Sequence, residues 1–536
     1  MSKKEKIFLI LIFILAFGVR IWDIGNHPTF ISDEASIGYN AWSILKTGKD
    51  EWGIFLPLNF KAFGEYKLPV YIYTATPFLG IFGLNETAVR LPSVIFGVLS
   101  VLIVIFLAKE IIKETSIFPF LTGFFLAILP WHIQTSRMAL EANLAFFLLI
   151  LGTLFFFKGI KNNKFFYFSF LIFALSLYTY NACRIFTPLL LGGMIFFFIS
   201  RQWQKIIPPL LLMILFSFPL VLSGFRGTPE RLAKVGIFTN QGILAQINEK
   251  RGICLEKNPE FFCRLFYNRP VFYSLIFFKN YFSHFSLDFL FLKGPNLAQY
   301  TVPQRGMAYL WQLPLIILGI FWFLKKERKI FLFLVWWLLV SPIANSFTGT
   351  AHPVRAIFLL LLIPFLNAGG ATMIWENIRN KKIKTVFLGG ILFFSFISWK
   401  NFLFDYFFSY PKVHTSTWQA GYKPLYQKLS LLEKDYERIL VTKFYGEPHI
   451  FYLFYQKYDP KLYQEEKEVI RYDREDKWVN VDRIGKYWFI DDWRKIKLKT
   501  GELITISPQE INFEIELLEE IKYQDGKTAF LIGKIK

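Results

Sequence analysis

A chain of 536 residues that is 54% hydrophobic and 19% aromatic, with 64 Phe and a mean hydropathy of +0.37, is too apolar to hide its side chains in one water-soluble core. Its formal charge of +21 would suggest nucleic acid in a soluble protein. The Lys and Arg residues lie mostly between the apolar runs, however, which argues against a nucleic-acid partner and points to membrane topology and anionic lipid.

The first apolar run, 7–24, is followed by no small-residue cleavage site and is expected to be an uncleaved span. A polar stretch from Ile24 to Lys67 comes next, carrying Asp33, Glu34, Asp50, Glu51, Glu65 and Lys67. Residues 70–84, after Pro69, are apolar but only about fifteen long and hold Pro77, so they are expected to lie in the interface instead of spanning it. Further spans are predicted at 90–108, 117–131, 140–157, 164–180, 185–200, 206–223, 307–324, 330–346, 354–375 and 384–400, which makes eleven with the first. With Met1 cytoplasmic, the six short inner segments carry eighteen Lys and Arg, whereas each of the short outer loops 132–139, 178–184 and 347–355 carries one. Three long segments then face outward: 25–89, 224–306 and the tail. The tail reads as strand, helix, strand with frequent charges, so the expected fold class is an α-helical polytopic membrane domain, 1–400, followed by a small extracytoplasmic α/β domain, 401–536.

Cys254 and Cys263 lie nine residues apart in the second outer segment, where a disulfide is chemically permitted; two free thiols are the alternative. Cys183 sits at a membrane boundary as a packing residue. Neither a metal-finger spacing nor a phosphate-binding GxxxxGK[ST] loop occurs, which disfavours ATP-driven chemistry.

The ionisable residues gather at one predicted surface. Asp33-Glu34 precedes a helical pattern, so Ser32 or Asp33 could cap that helix; alternatively, Asp33 is a general base or a cation ligand at headgroup level. Glu65 and Lys67 stand just before the interfacial stretch, and the ammonium could meet a phosphate. Glu86 and Arg90 open the second span. The loop LPWHIQTSRMALEAN adds His132, Arg137 and Glu141, the last inside an apolar helix, where an ionisable group marks either a site or a paired structural charge. Tyr178, Tyr180 and Arg184, and then His352 and Arg355 in TGTAHPVR, form two further outer clusters, which also suit interfacial anchors.

The order of DEA after the first span, GEYKLP, an apolar interfacial helix, NETAVRLPSVIFGVLSVL and LPWHIQTSRMALEAN resembles the GT-C membrane glycosyltransferases. Within them it is similar to the protein O-mannosyltransferase and aminoarabinose transferase branch, family 39, and its Rgt-like relatives. The resemblance covers roughly residues 1–200; the His352–Arg355 loop and the tail fit more loosely. It implies transfer of a sugar from a polyprenyl-phosphate donor to a glycan, lipid or protein acceptor at the outer face of the membrane. It also implies Asp33 as the catalytic carboxylate with Glu34 beside it, and Glu141 at a second acidic position. The family's Glu-Lys-Pro element is matched here with insertions at Glu65, Lys67 and Pro69, which weakens the assignment of Glu65. Lys67, Glu65, Arg137, His132, Arg355 and His352 are the expected donor-phosphate neighbours. No cofactor is required, and a divalent metal is compatible. A transporter or flippase of lipid-linked saccharides is the alternative class, but no internal repeat is visible and the charges avoid the bilayer midplane. An oligosaccharide ligase, or a phosphotransferase on the same carrier, is a further one.

Overall fold

The computed structural model describes residues 2–113, 117–199, 203–223, 236–239, 241–415, 419–475, 477–510 and 514–536. The beginning of the expected outer segment 224–306, up to residue 235, and the edges of two inner segments at 114 and 201–202 lie outside the described residues. The chain divides into two compact units. One comprises residues 1–16, 97–135 and 142–398; the other comprises 17–96, 136–141 and 399–536. The units part between Ser398 and Trp399, within the continuous helical segment Lys381–Val413, and residues 399–536 group with 17–96 and 136–141.

The first unit is helical. Six described helices have the length and composition to cross a bilayer: Glu86–Ile111, Glu141–Lys161, Trp203–Leu222, Arg328–Ser346, Ile357–Asn377 and Lys381–Val413. Shorter apolar helices of this unit are Phe118–Ile128, Lys164–Leu177 and Cys183–Phe198. Within this unit, Ile357–Asn377 is mostly buried among its neighbours, whereas Trp203–Leu222 leaves Leu211, Leu215 and Phe216 exposed, as a lipid-facing helix must. The helices Leu313–Lys326 and Leu362–Asn377 pack backbone to backbone: a Cβ on Gly319 would run into Leu366, and one on Gly370 into Leu315. Close approach through small residues is how helices gain dispersion contact in lipid, where burial of apolar surface supplies little. Cys254 and Cys263 form a disulfide with Cα atoms 5.7 Å apart, joining the helices Gln241–Leu255 and Glu260–Phe266. Cys183 is buried as a free thiol.

The second unit contains the helices Ser32–Thr47 and Pro69–Phe82, a small hairpin between them, and the tail. The hairpin pairs β1 (Phe60–Ala62) with β2 (Glu65–Lys67). The tail builds one mixed sheet from β3 (Ile439–Thr442), β4 (Val469–Asp473), β5 (Val479–Ile484), β6 (Tyr487–Ile490), β7 (Leu503–Ile506), β8 (Ile515–Lys522) and β9 (Thr528–Ile535), in the order β4-β5-β6-β3-β7-β9-β8. Strand β3 is parallel to both neighbours, β6 and β7. Its sequence, ILVT, is buried throughout, as a strand covered on both faces requires. Helices Tyr422–Leu432 and Pro448–Tyr455 join through Tyr422 stacked on Phe451 at 4.5 Å and the Tyr426 hydroxyl donating to the Pro448 carbonyl at 2.8 Å.

Ser32–Thr47 is buried on most of its circumference, from Glu34 through Ala41. Gly38 marks its closest approach to a neighbour, since a Cβ there would lie 2.7 Å from both Phe454 and Val89. The helix carrying Asp33 is thereby seated directly against the Pro448–Tyr455 helix of the tail.

Candidate active site

The cap of the Ser32–Thr47 helix is Ile31, and neither Ser32 nor Asp33 caps it through a side chain. Instead, Glu34 reaches back to the Ile31 N–H at 3.4 Å, while the two carboxylates turn to different tasks. Glu34 is fully buried. Its oxygens accept from Arg90 Nε at 2.7 Å and Arg90 Nη2 at 2.6 Å, and Oε1 accepts from the Ala139 N–H at 2.8 Å. Arg90 spends its remaining donors on the carbonyls of Ile24, Pro28 and Thr29. A paired, hydrogen-bonded charge is the form in which a carboxylate can persist out of water. Glu34 is therefore a structural strut holding the 24–31 loop, the helix and the 136–141 segment together.

Asp33, one residue earlier, points away from that strut and is 41% exposed. Its Oδ1 accepts from Lys67 Nζ at 2.6 Å, and Lys67 is itself 6% exposed. Burial works against the ammonium, but Asp33, Glu141 and Glu65 outweigh it, so the pKa of Lys67 lies above its ordinary value. One cation is thus fixed among three carboxylates, two of them, Glu65 and Glu141, acting through the field. The hairpin delivers Lys67 on β2, and Pro69, favoured in the first helical turn, starts the next helix two residues on.

Arg137 is held by backbone carbonyls. It is buried, and its guanidinium donates to the carbonyls of Val19 at 2.8 Å, Arg20 at 3.0 Å and His27 at 2.7 Å while lying over the Phe407 ring at 4.7 Å. Those bonds make it a second strut of the 19–27 region. His27 beside it is held neutral: burial, then Arg137 and Arg90, lower its pKa from 6.5 to about 3.

His132, His352 and Arg355 belong to the helical unit. His132 is buried edge-on to Phe146. The Trp131 indole N–H donates to the Pro353 carbonyl at 2.8 Å, tying the segment of His132 to the loop of His352 and Arg355. His352 Nδ1 accepts from the Val354 N–H at 3.2 Å, and Arg355 Nη1 donates to Thr348 Oγ1 at 3.2 Å.

Residues that sequence reasoning left out also belong to the unit containing Asp33. Glu51 is buried, accepts from Asn40 Nδ2 at 3.2 Å, and lies close to Arg471, whose guanidinium is sandwiched by Trp52 at 3.9 Å and Tyr463 at 4.4 Å. Burial raises Glu51 from its ordinary 4.5 to about 7, more than Arg471 and Asn40 pull it down. Between those values the folded chain keeps a proton that the unfolded chain has released, so this group's contribution to stability falls as pH rises through the window and is flat above it. Glu51→Gln is accordingly expected to raise thermal stability at pH 8, by on the order of 2 kcal/mol, and to do nothing at pH 4. Thermal scans of wild type and variant at the two pH values check this; an equal gain at both would remove ionisation as the cause.

Apolar helices of spanning length followed in the chain by a mixed-sheet tail give the protein the GT-C fold, on its likeness to solved structures. Residues 67–223 match the family described as dolichyl-phosphate-mannose-protein mannosyltransferase. Among solved structures, the chain is similar to ArnT from Cupriavidus metallidurans bound to undecaprenyl phosphate, with 10% identity over 99% of this chain and 98% of that one and a TM-score of 0.56. It is also similar to the archaeal oligosaccharyltransferase AglB from Archaeoglobus fulgidus in complex with an inhibitory peptide and a dolichol-phosphate, with 12% identity over 93% of this chain and 76% of that one and a TM-score of 0.51. An Archaeoglobus fulgidus oligosaccharyltransferase tethered to an acceptor peptide matches at 14% identity and a TM-score of 0.50 over 83% of this chain, which spans 62% of its length. Among curated proteins, none matches the sequence.

Proposed function

We propose that this multi-pass membrane protein transfers a sugar, a hexose or a pentose, from a polyprenyl-phosphate donor to an acceptor hydroxyl at the outer face of the membrane, with the N-terminus cytoplasmic and the tail extracytoplasmic. The observation that carries the reading is the division of labour at Asp33-Glu34: one carboxylate is locked inside by Arg90, and the adjacent one stands half-exposed against a buried lysine. The relatives whose structures hold undecaprenyl phosphate and dolichol-phosphate support the donor class.

In this reading Asp33 takes the proton from the acceptor hydroxyl, whose oxygen forms the new bond to the anomeric carbon as the bond from that carbon to the phosphate oxygen breaks. The polyprenyl phosphate leaves, and the positive charge of Lys67 offsets the charge that develops on it. Glu141 and Glu65 keep the lysine charged. The test is purified protein in nanodiscs with radiolabelled polyprenyl-phosphate sugars: label released from the lipid in wild type supports transfer, and an intact donor under all acceptors rejects it.

Among the described residues no group of three or more His, Cys, Asp or Glu is arranged to hold a metal ion. Because Lys67 already supplies a cation among the carboxylates, turnover is expected to persist after chelation with EDTA. Turnover that disappears and returns with Mg²⁺ or Mn²⁺ would assign a divalent ion to the carboxylates instead.

A further inference from the structure

The tail carries a polar and aromatic cluster that the transfer chemistry at Asp33 does not use. Tyr472 on β4 and Asn480 on β5 stand opposite one another in register, and Asn480 Nδ2 also donates to Asp482 Oδ1 at 2.6 Å across the β-bulge that Asp482 occupies, so the three side chains lie together. Lys443, directly after β3 and with its side chain 8% exposed, organises this cluster. Its Nζ donates to Asn480 Oδ1 at 2.7 Å, Asp482 Oδ1 at 2.9 Å and Asp491 Oδ2 at 3.3 Å. Asn480 Nδ2 then donates to the Tyr472 hydroxyl at 2.8 Å. Trp478, just before β5, is fixed by its indole N–H to Glu447 Oε1 at 2.6 Å and by stacking on Phe63, with centroids 6.4 Å apart and planes 20° apart.

These rings are held in place yet remain open to solvent: Trp478 is 39% exposed and Tyr472 48%. An immobilised aromatic ring beside amide and carboxylate acceptors suits a sugar, whose axial C–H groups present an electropositive face to the π cloud while its hydroxyls take directed hydrogen bonds. The place is also one where a ligand is expected. Lys443 and Asp491 follow the carboxyl ends of the parallel strands β3 and β6, and β3 has parallel neighbours on both sides, which is where open α/β sheets form a crevice. Nucleic-acid bases stack on aromatics as well, but Asp473, Asp482, Asp491 and Glu447 would repel their phosphates.

The platform connects to the proposed base by successive contacts. Phe63 is the tip of the β1–β2 hairpin, its ring lies 6.0 Å from Lys67 Nζ, and Lys67 holds Asp33. We propose that Trp478 and Tyr472 bind a neutral or amino-sugar residue of the acceptor and direct its free hydroxyl toward Asp33, which makes the acceptor a glycan. The inference deepens the glycosyl-transfer reading and rests on it for the role of Asp33, but sugar binding by the platform can be measured without turnover.

The test is saturation-transfer NMR on the full-length protein in nanodiscs with mannotetraose, cellotetraose and chitotetraose as probes. At least one oligosaccharide is expected to bind wild type and the Asp33→Asn variant equally, and Trp478→Ala and Tyr472→Ala roughly tenfold more weakly, with Trp478→Phe retaining most of the affinity. Tyr472 is bonded to Asn480, and its loss leaves the Trp478–Phe63 stack in place, so Tyr472→Ala reports even where Trp478→Ala disturbs folding. Transfer to the glycan should fail in both alanine variants. Binding of none of the three sugars, or binding indifferent to both alanine substitutions, overturns the platform. An intact donor in wild type with platform-dependent sugar binding would instead overturn the transferase reading and leave the platform standing.

Discussion

Replacing Asp33 with Asn is expected to lower kcat for sugar transfer by about 10²–10⁴-fold, the range over which a positioned general base contributes. The amide keeps the size of the side chain and one oxygen for Lys67, but it cannot accept the acceptor's proton. Loss of structure is not expected to account for the effect. Asp33 is 41% exposed, it caps no helix, and Lys67 still has the field of Glu65 and Glu141. The measurement is initial rate at saturating donor and acceptor, alongside membrane insertion and thermal stability. A variant that keeps its turnover removes Asp33 from the chemistry, and one that fails to insert makes it a folding residue.

Glu34→Gln is expected to have the opposite signature, a loss of stability of about 3–5 kcal/mol, because it leaves the Arg90 guanidinium buried without its counter-charge. The amide would also turn an N–H group toward a donor. Arg90 cannot relax to water, since it is fully buried and three carbonyls of the 24–29 loop hold it. A paired change, Glu34→Leu with Arg90→Met, removes the orphaned charge and should recover part of the stability, while the loop that Arg90 gripped stays loose and transfer stays low. Thermal denaturation and limited proteolysis after residue 24 distinguish these outcomes. If Glu34→Gln is as stable as wild type, the buried pair is not the strut described above.

The sequence made the site partly legible, and the limit lies in what each residue's neighbours are. Asp33, Glu65, Lys67 and Glu141 could be found because charge beside apolar runs is conspicuous by composition alone, and they do share one unit. Arg137 was conspicuous for the same reason, yet its donors go to backbone carbonyls, which no residue pattern announces. Glu34 and Arg90 are 56 positions apart, and which of two adjacent acids pairs with the arginine depends on helix phase, set by tertiary packing. The sheet class of the tail could be read from short β-rich runs, whereas the β4–β5 register, which puts Tyr472 opposite Asn480, could not. Glu51 looked like any other loop acid until Asn40, Tyr463 and Arg471 closed around it.

Asp33 and Glu34 are consecutive in a helix, so their side chains leave the axis about 100° apart. This angle means that the order of the two residues is a functional quantity distinct from their charge. A chain with Glu at 33 and Asp at 34 would have the same composition and the same net charge. Its inner carboxylate would nevertheless stop one methylene short of the guanidinium, and its outer one would swing on a longer arm. The buried acid serves as a keel for the exposed one: the proposed base holds its aim through a neighbour locked against Arg90.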